Sequence, residues 1–244
     1  MQRADPSLTD VVRSGRIRVG LFLPQYAKNP VSGDLQGIGT GFIAIEIAHS
    51  LAARLGITAR FTEYPSPKAA IAGLKGDTCD VVFLGLEPSR AAEVDFSPPI
   101  FQFEYTYLVP AGSAIGSIGD ADRPGVRIAI VSSHASALAL RRLVTKAELV
   151  GSELPDDAFA LLAAGTVDAF ALPREQLLDY SAKLPGFHVL ADSYGINRVA
   201  MAVAKGRAAW LALVAEFSAE TKASGLIQEV IARGDLRGFA VAAA

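Results

Sequence analysis

"CDVVFLGLEPSRAAEVDFSPP", residues 79–99, is the stretch on which the fold turns. It opens as an apolar strand, turns through Gly85 and Pro88, presents Arg90 and closes on "VDFSPP". A short apolar run bounded by turn residues marks a strand buried on both faces, as in parallel sheets. Upstream, "GRIRVGLFLP" reads as a buried strand entering a loop. Ile43, Ile47, Leu51 and Leu55 then recur at helical spacing, and Gly56 stops that helix. "ITARFTEYP" is a strand, and "SPKAAIAGLKGD" a helix with Ser66 as N-cap, Pro67 at the first position and Gly76 as terminator. The order β-α-β-α-β predicts a mostly parallel sheet covered by helices.

The pattern then restarts. Alternating aromatics in "IFQFEYTYLVPAG" predict a long strand, and a Gly/Asp/Pro-rich loop follows. "VRIAIV" is a strand and "SSHASALALRRLV" a helix opened by Ser132 or Ser133. A short strand, a helix from Pro155, the strand "VDAFAL" and a helix begun by Pro173 complete the second set. Two further strands and two terminal helices end the chain. The expectation is an α/β protein of two lobes, each a mostly parallel sheet flanked by helices, joined by two crossover strands near residues 105–110 and 197–203. The first lobe is predicted to take residues 1–107 and 200–244, the second residues 108–199.

Composition narrows the function. The 244 residues carry a formal net charge of −2, with Lys and Arg scattered, which gives no electrostatic reason to expect nucleic acid or an anionic membrane as partner. No apolar run reaches the ~20 residues that span a bilayer. Cys79 is the one cysteine, so no intrachain disulfide forms. The N-terminus "MQRADPSLTD" lacks the apolar core of a signal peptide, which fits a cytoplasmic protein or a mature chain with a start Met.

Several motifs carry candidate chemistry. "GIGTG", residues 37–41, precedes a helix but follows a polar loop and lacks Gly-Lys-Ser/Thr, so a flexible entry loop is the better reading. His49, His134 and His188 have no metal-ligand spacing. "SSH", residues 132–134, sits where a strand becomes a helix, a place that favours an anion, although an ordinary Ser N-cap explains it as well. Arg90 is either a surface residue paired with Glu93 or Asp95, or a clamp for a carboxylate, which its planar guanidinium grips with two parallel bonds.

The ordered motifs decide between these. "GRIRVG", "GFIAIEIAHSLAARLG" with Glu46, "GLKGDTCDVVF" with Asp80, "EPSRAAEVDFSPP", "RPGVRIAIVSS" and "LLAAGTVDAFAL" together resemble the family 3 extracellular solute-binding proteins, bacterial amino-acid receptors of ABC transporters. The Arg-to-Ser signature "RAAEVDFS" is the specific one. The resemblance implies the type II periplasmic-binding-protein fold and a periplasmic mature chain whose signal peptide has been removed. It implies a monomer that captures a small carboxylate-bearing ligand in an interlobe cleft and delivers it to an ABC transporter permease. No catalytic residue, cofactor or metal is expected. Arg90 is expected to hold the ligand carboxylate, with Phe22 and Tyr26 lining the cleft and Gly85, Ser132, Ser133 and His134 completing its wall. Asp95 and Phe96 fasten the turn. A cleft enzyme of the same fold, dehydratase-like, and a ligand-sensing module are the alternatives.

Two departures bear on the ligand. The family's amino-acid binders commonly place an Asp shortly after the second "VDA" step to receive the ammonium; here that place falls to Pro173. Gly85 stands where a hydroxyl residue is common. The resemblance therefore implies a small organic acid in place of an ordinary α-amino acid, unless Glu175 or Asp179 on the next helix replaces the missing carboxylate.

Overall fold

The computed structural model describes residues 8–132, 134–183 and 185–243. The chain divides into two compact units, one of residues 1–102, 198–236 and 240–244, the other of residues 103–197 and 237–239.

In the first unit, α1 (Leu8–Arg13), β1 (Arg16–Phe22), the ribbon β2 (Tyr26–Lys28) and β3 (Leu35–Gly37), α2 (Thr40–Arg54), β4 (Thr58–Tyr64), α3 (Pro67–Lys75), β5 (Val81–Gly85), the single turn α4 (Pro88–Ala91) and β6 (Val94–Phe96) follow in order. β7 (Phe101–Pro110) carries the chain into the second unit. There β8 (Arg127–Val131), α5 (Ala135–Leu140), β9 (Glu148–Ser152), α6 (Pro155–Ala163), β10 (Ala169–Pro173), α7 (Arg174–Lys183) and β11 (Phe187–Val189) follow. β12 (Gly195–Ala204) returns to the first unit, which ends with α8 (Ala208–Ala223) and α9 (Leu226–Arg233), before β13 (Phe239–Val241). Because residues 237–239 belong to the second unit, the chain passes between the units four times, not the two that the sequence predicts.

The sheet strands of the two units are ordered alike. In the first, β4, β1 and β5 run parallel in that order, with β12 antiparallel beyond β5. In the second, β9, β8 and β10 run parallel, with β7 antiparallel beyond β10. The second sheet is buried on both faces. Ile128, Ile130, Ala169, Ala171, Tyr107 and Val109 enter one apolar cluster, while the intervening Ala129, Val131, Phe170, Leu172 and Leu108 enter the other. That period-2 alternation between two dry faces is why "VRIAIV" and "VDAFAL" read as unbroken apolar runs.

Likeness extends to the polar clamp at the amino ends of the strands. Asp80, just before β5, accepts from the Arg18 N–H at 2.8 Å while its own N–H donates to the Arg18 carbonyl at 2.8 Å. Asp168, just before β10, makes the same pair of bonds with Arg127, each 2.8 Å. In both units the turn three residues earlier needs a left-handed backbone: Gly165 adopts φ 69° in the second, and Asp77 adopts φ 60° in the first. Asp tolerates this region better than most side chains. Asp77 uses its carboxylate to hold Arg18 and Arg207, each at 2.7 Å.

Local signals behave as their chemistry requires in α3. Ser66 Oγ accepts from the Ala69 N–H at 3.2 Å, Pro67 opens the helix and Gly76 closes it. "GIGTG" differs from its expectation. A Cβ on Gly41 would lie 1.8 Å from the Gln25 carbonyl oxygen, and one on Gly37 would lie 2.5 Å from the Phe42 nitrogen. These glycines press the β2–β3 ribbon against the start of α2, which is close packing and not a flexible entry. Gly41→Ala is expected to cost about 2–3 kcal/mol by overpacking against backbone that cannot step aside. A urea unfolding curve measures it; an unchanged midpoint would mean that the ribbon moves freely.

Candidate functional site

In open α/β sheets, ligands bind beyond the carboxyl ends of the parallel strands. In the first unit those ends belong to β1 and β5. β5 finishes at Gly85, and α4, opened by Pro88, folds Arg90 back so that its Nη1 donates to the Gly85 carbonyl at 3.0 Å. Arg90 is half-buried. Of the two acids weighed as its partners, Glu93 is engaged by Lys75 at 2.9 Å. Phe22 ends β1 and packs on the cluster of Ala70, Ile71, Leu74 and Val82, which accounts for its ring without a ligand. Tyr26 lies on β2, half-buried, with burial and the neighbouring Glu63 both raising its phenol pKa.

Residues without a sequence signal complete this strand-end surface. Gln25 is buried; its Oε1 accepts from the Phe22 N–H at 3.2 Å and its Nε2 donates to the Phe83 carbonyl at 3.4 Å, tying the loop after β1 to β5. Leu23, Ile38 and Leu86, on the loop after β1, at the entry to α2 and directly after β5, expose 51%, 53% and 37% of their surface. Large apolar side chains left open at strand ends suit the apolar body of a ligand.

In the second unit the corresponding ends are those of β8 and β10. α5 is shorter than expected and Ser132 is not its cap. His134 occupies the N-cap, with Nδ1 accepting from the Ser136 N–H at 3.2 Å and lying 2.8 Å from Ser136 Oγ. An accepting Nδ1 places the neutral ring's proton on Nε2. Burial takes the His134 pKa down to about 4, so the ring is uncharged at neutral pH and offers an anion a donor but no net charge. Ser132 is exposed; its N–H donates to the Ser152 carbonyl and its own carbonyl accepts from Arg141. Ser133 lies outside the described residues.

Pro173 is the buried last residue of β10, so the helix begins at Arg174 and not at the proline. Pro173 pairs across the sheet with Tyr105. The Tyr105 ring meets His134 edge-on at 6.4 Å and stacks on Tyr194 at 5.9 Å, and its hydroxyl accepts from Asn197 Nδ2 at 2.7 Å. The fold thus brings His134, Tyr105 and Pro173 to one place, and Glu175 follows Pro173 by two residues on the first turn of α7. Among the described residues no group of three His, Cys, Asp or Glu side chains is placed to hold a metal. Among the described residues no helix is long and apolar enough to cross a membrane.

Residues 26–233 match the family described as bacterial extracellular solute-binding proteins, family 3. The chain belongs to that family. Curated relatives of this binding protein include the ABC transporter glutamine-binding protein GlnH of Bacillus subtilis (strain 168), 28% identical over 80% of this chain and 70% of the relative. A glutamine-binding protein of Geobacillus stearothermophilus is 26% identical over 68% of this chain, which spans 63% of that relative's length. Among solved structures, an ancestral amino acid-binding protein, a precursor of cyclohexadienyl dehydratase, superposes with a TM-score of 0.70 at 26% identity, covering 93% of this chain and 97% of its own. A putative ABC transporter binding component from Wolinella succinogenes, complexed with lysine, shares the fold with a TM-score of 0.72 at 23% identity over 90% and 95% of the two chains. The family's binding proteins are extracellular by description, and the fold is the type II one that the sequence predicts.

Proposed function

We propose that this binding protein captures a small carboxylate-bearing solute, amino-acid-like or an organic acid, beyond the carboxyl ends of its parallel strands. Its delivery to an ABC permease then follows from the closed form. The observation that carries the reading is Arg90, held at the end of β5 by the Gly85 carbonyl, in a unit that also exposes Leu23 after β1, Ile38 before α2 and Leu86 after β5. The guanidinium takes the carboxylate, and the apolar side chains take the body of the solute. From the second unit, His134 and Ser132 supply polar contacts at the end of β8. Relatives named for glutamine support the class of ligand.

Calorimetry against the standard amino acids and simple mono- and dicarboxylic acids tests capture. Small-angle scattering with the bound solute is expected to show compaction, as hinge closure requires. Saturation by a micromolar ligand without any change in the scattering profile would remove closure from the reading.

A second reading is a cleft enzyme of dehydratase type, run by the same chain as a monomer in the periplasm. Glu175 favours it, because burial raises its pKa to about 7, the range suited to a general acid at neutral pH. Turnover of the captured acid, followed by mass spectrometry, distinguishes an enzyme from a receptor.

A further inference from the structure

The chain end crosses the boundary between the units twice within a few residues. Residues 237–239 belong to the second unit, whereas the residues before and after them belong to the first. Each side is fastened within its own unit. In the second, the buried Phe239 packs its ring on Phe103, with centroids 5.4 Å apart. Gly238, at φ 88°, lies close enough to α7 that a Cβ there would stand 3.1 Å from the Glu175 nitrogen and 3.4 Å from Arg174 Cβ and Cγ. Arg237 pairs with Asp179 at 3.7 Å. In the first unit, Ala242 is buried and its N–H donates to the Ile100 carbonyl at 3.1 Å, while the Ala243 N–H donates to Gln102 Oε1 at 3.4 Å. Between these anchors β13 pairs with β7. A chain end is ordinarily among the least ordered parts of a domain, and this one is tied down on both sides of a boundary.

Its docking place is the root of the crossover strands. β7 passes the boundary between Gln102 and Phe103, and the contacts of residues 239–243 fall on Ile100, Gln102 and Phe103, on either side of that step. β10 and β11 meet β7 only further on, over residues 105–110. Arg174, which Gly238 approaches, pairs with Glu104 of β7 at 2.8 Å. The same guanidinium donates to the carbonyls of Leu190, Ala191 and Asp192, in the segment that leads into β12.

We propose that residues 237–243 are a third tie at the hinge, a strap that runs beside β7 across the boundary and limits how far the two crossover strands bend. A hinge works because a few residues absorb a change in φ and ψ. A lone strand makes that change freely. When a second segment is fastened on both sides of the bending point, a bend must also strain or undock that segment. The strap acts on the empty protein, so the proposal does not depend on which solute is captured.

Double electron–electron resonance on the empty protein tests it. Spin labels at Ala53→Cys and Lys146→Cys, one exposed position in each unit, read the spread of distances between the units. Cys79 is buried and stays unlabelled. Three chains are compared: the full chain, one ending at Leu236, and the full chain with Gly238→Ala. A methyl at Gly238 meets the Glu175 nitrogen and burdens a left-handed backbone, so it lifts the strap while leaving its other side chains in place. The distance distribution is expected to be roughly twofold wider in the chain ending at Leu236 and intermediate in Gly238→Ala, as a hinge freed of a tie requires. Hydrogen exchange within β1 and β8 is expected to stay as slow as in the full chain, which separates a loosened hinge from a loosened fold. Equal distributions in all three chains would overturn the proposal. So would widening accompanied by fast exchange in β1 and β8 of both variants, because the chain end would then serve the fold as a whole.

Discussion

Asp80→Ala is expected to lower the folding free energy by about 3–5 kcal/mol, the effect of removing one partner from a buried ion pair. The Asp80 side chain is 2% exposed, and it accepts from both the backbone and the guanidinium of Arg18. Arg207 stands 3.7 Å away and shares Asp77 with Arg18. Deleting Asp80 leaves two cations facing one remaining carboxylate, beside a backbone N–H that has lost its acceptor. Asp168 holds the equivalent place in the second unit, but its side chain is 39% exposed and water replaces part of what is lost. Asp168→Ala is expected to cost only about 1–2 kcal/mol. Urea unfolding of the two variants measures the contrast. Equal losses would mean that burial does not set the difference.

Arg90→Ala is expected to weaken solute binding by about 2–5 kcal/mol, since truncation leaves the ligand carboxylate desolvated and unpaired. At 25 °C that is roughly a 30- to several-thousand-fold rise in Kd. The melting temperature is expected to change little, because Arg90 is half-buried on a single helical turn. Arg90→Lys distinguishes geometry from charge. A lysine keeps the charge and loses the two-pronged grip, so it is expected to recover only part of the affinity. Calorimetry with the tightest binder of the screen reads both variants; unchanged affinity in Arg90→Ala would return this arginine to the surface.

The electrostatic balance also decides the pH range over which such measurements are clean. Burial keeps His134 neutral at neutral pH and raises the Glu175 carboxyl to about 7, so Glu175 changes state around neutrality. Affinities taken at one pH would hide its contribution.

The alternation of β-branched runs with 3.6-period segments determined the two α/β sheets, because each pattern buries apolar area only in its own geometry. The Ser66 cap, the Gly56 and Gly76 stops and the place of Arg90 after β5 were equally legible, being local chemistry. What escaped the sequence is what depends on distant chain segments. "GIGTG" looked like a loose loop because nothing local reveals that Gln25 presses on Gly41. The cap of α5 looked like a serine because Ser is the commoner cap, yet the chain presents the His134 nitrogen instead. Pro173 carries no side-chain acceptor, but nothing local shows that the Glu175 Oε2 is buried two residues later. The returning Gly238 approaches the Glu175 nitrogen, more than 60 residues apart in sequence and adjacent only once the chain has folded.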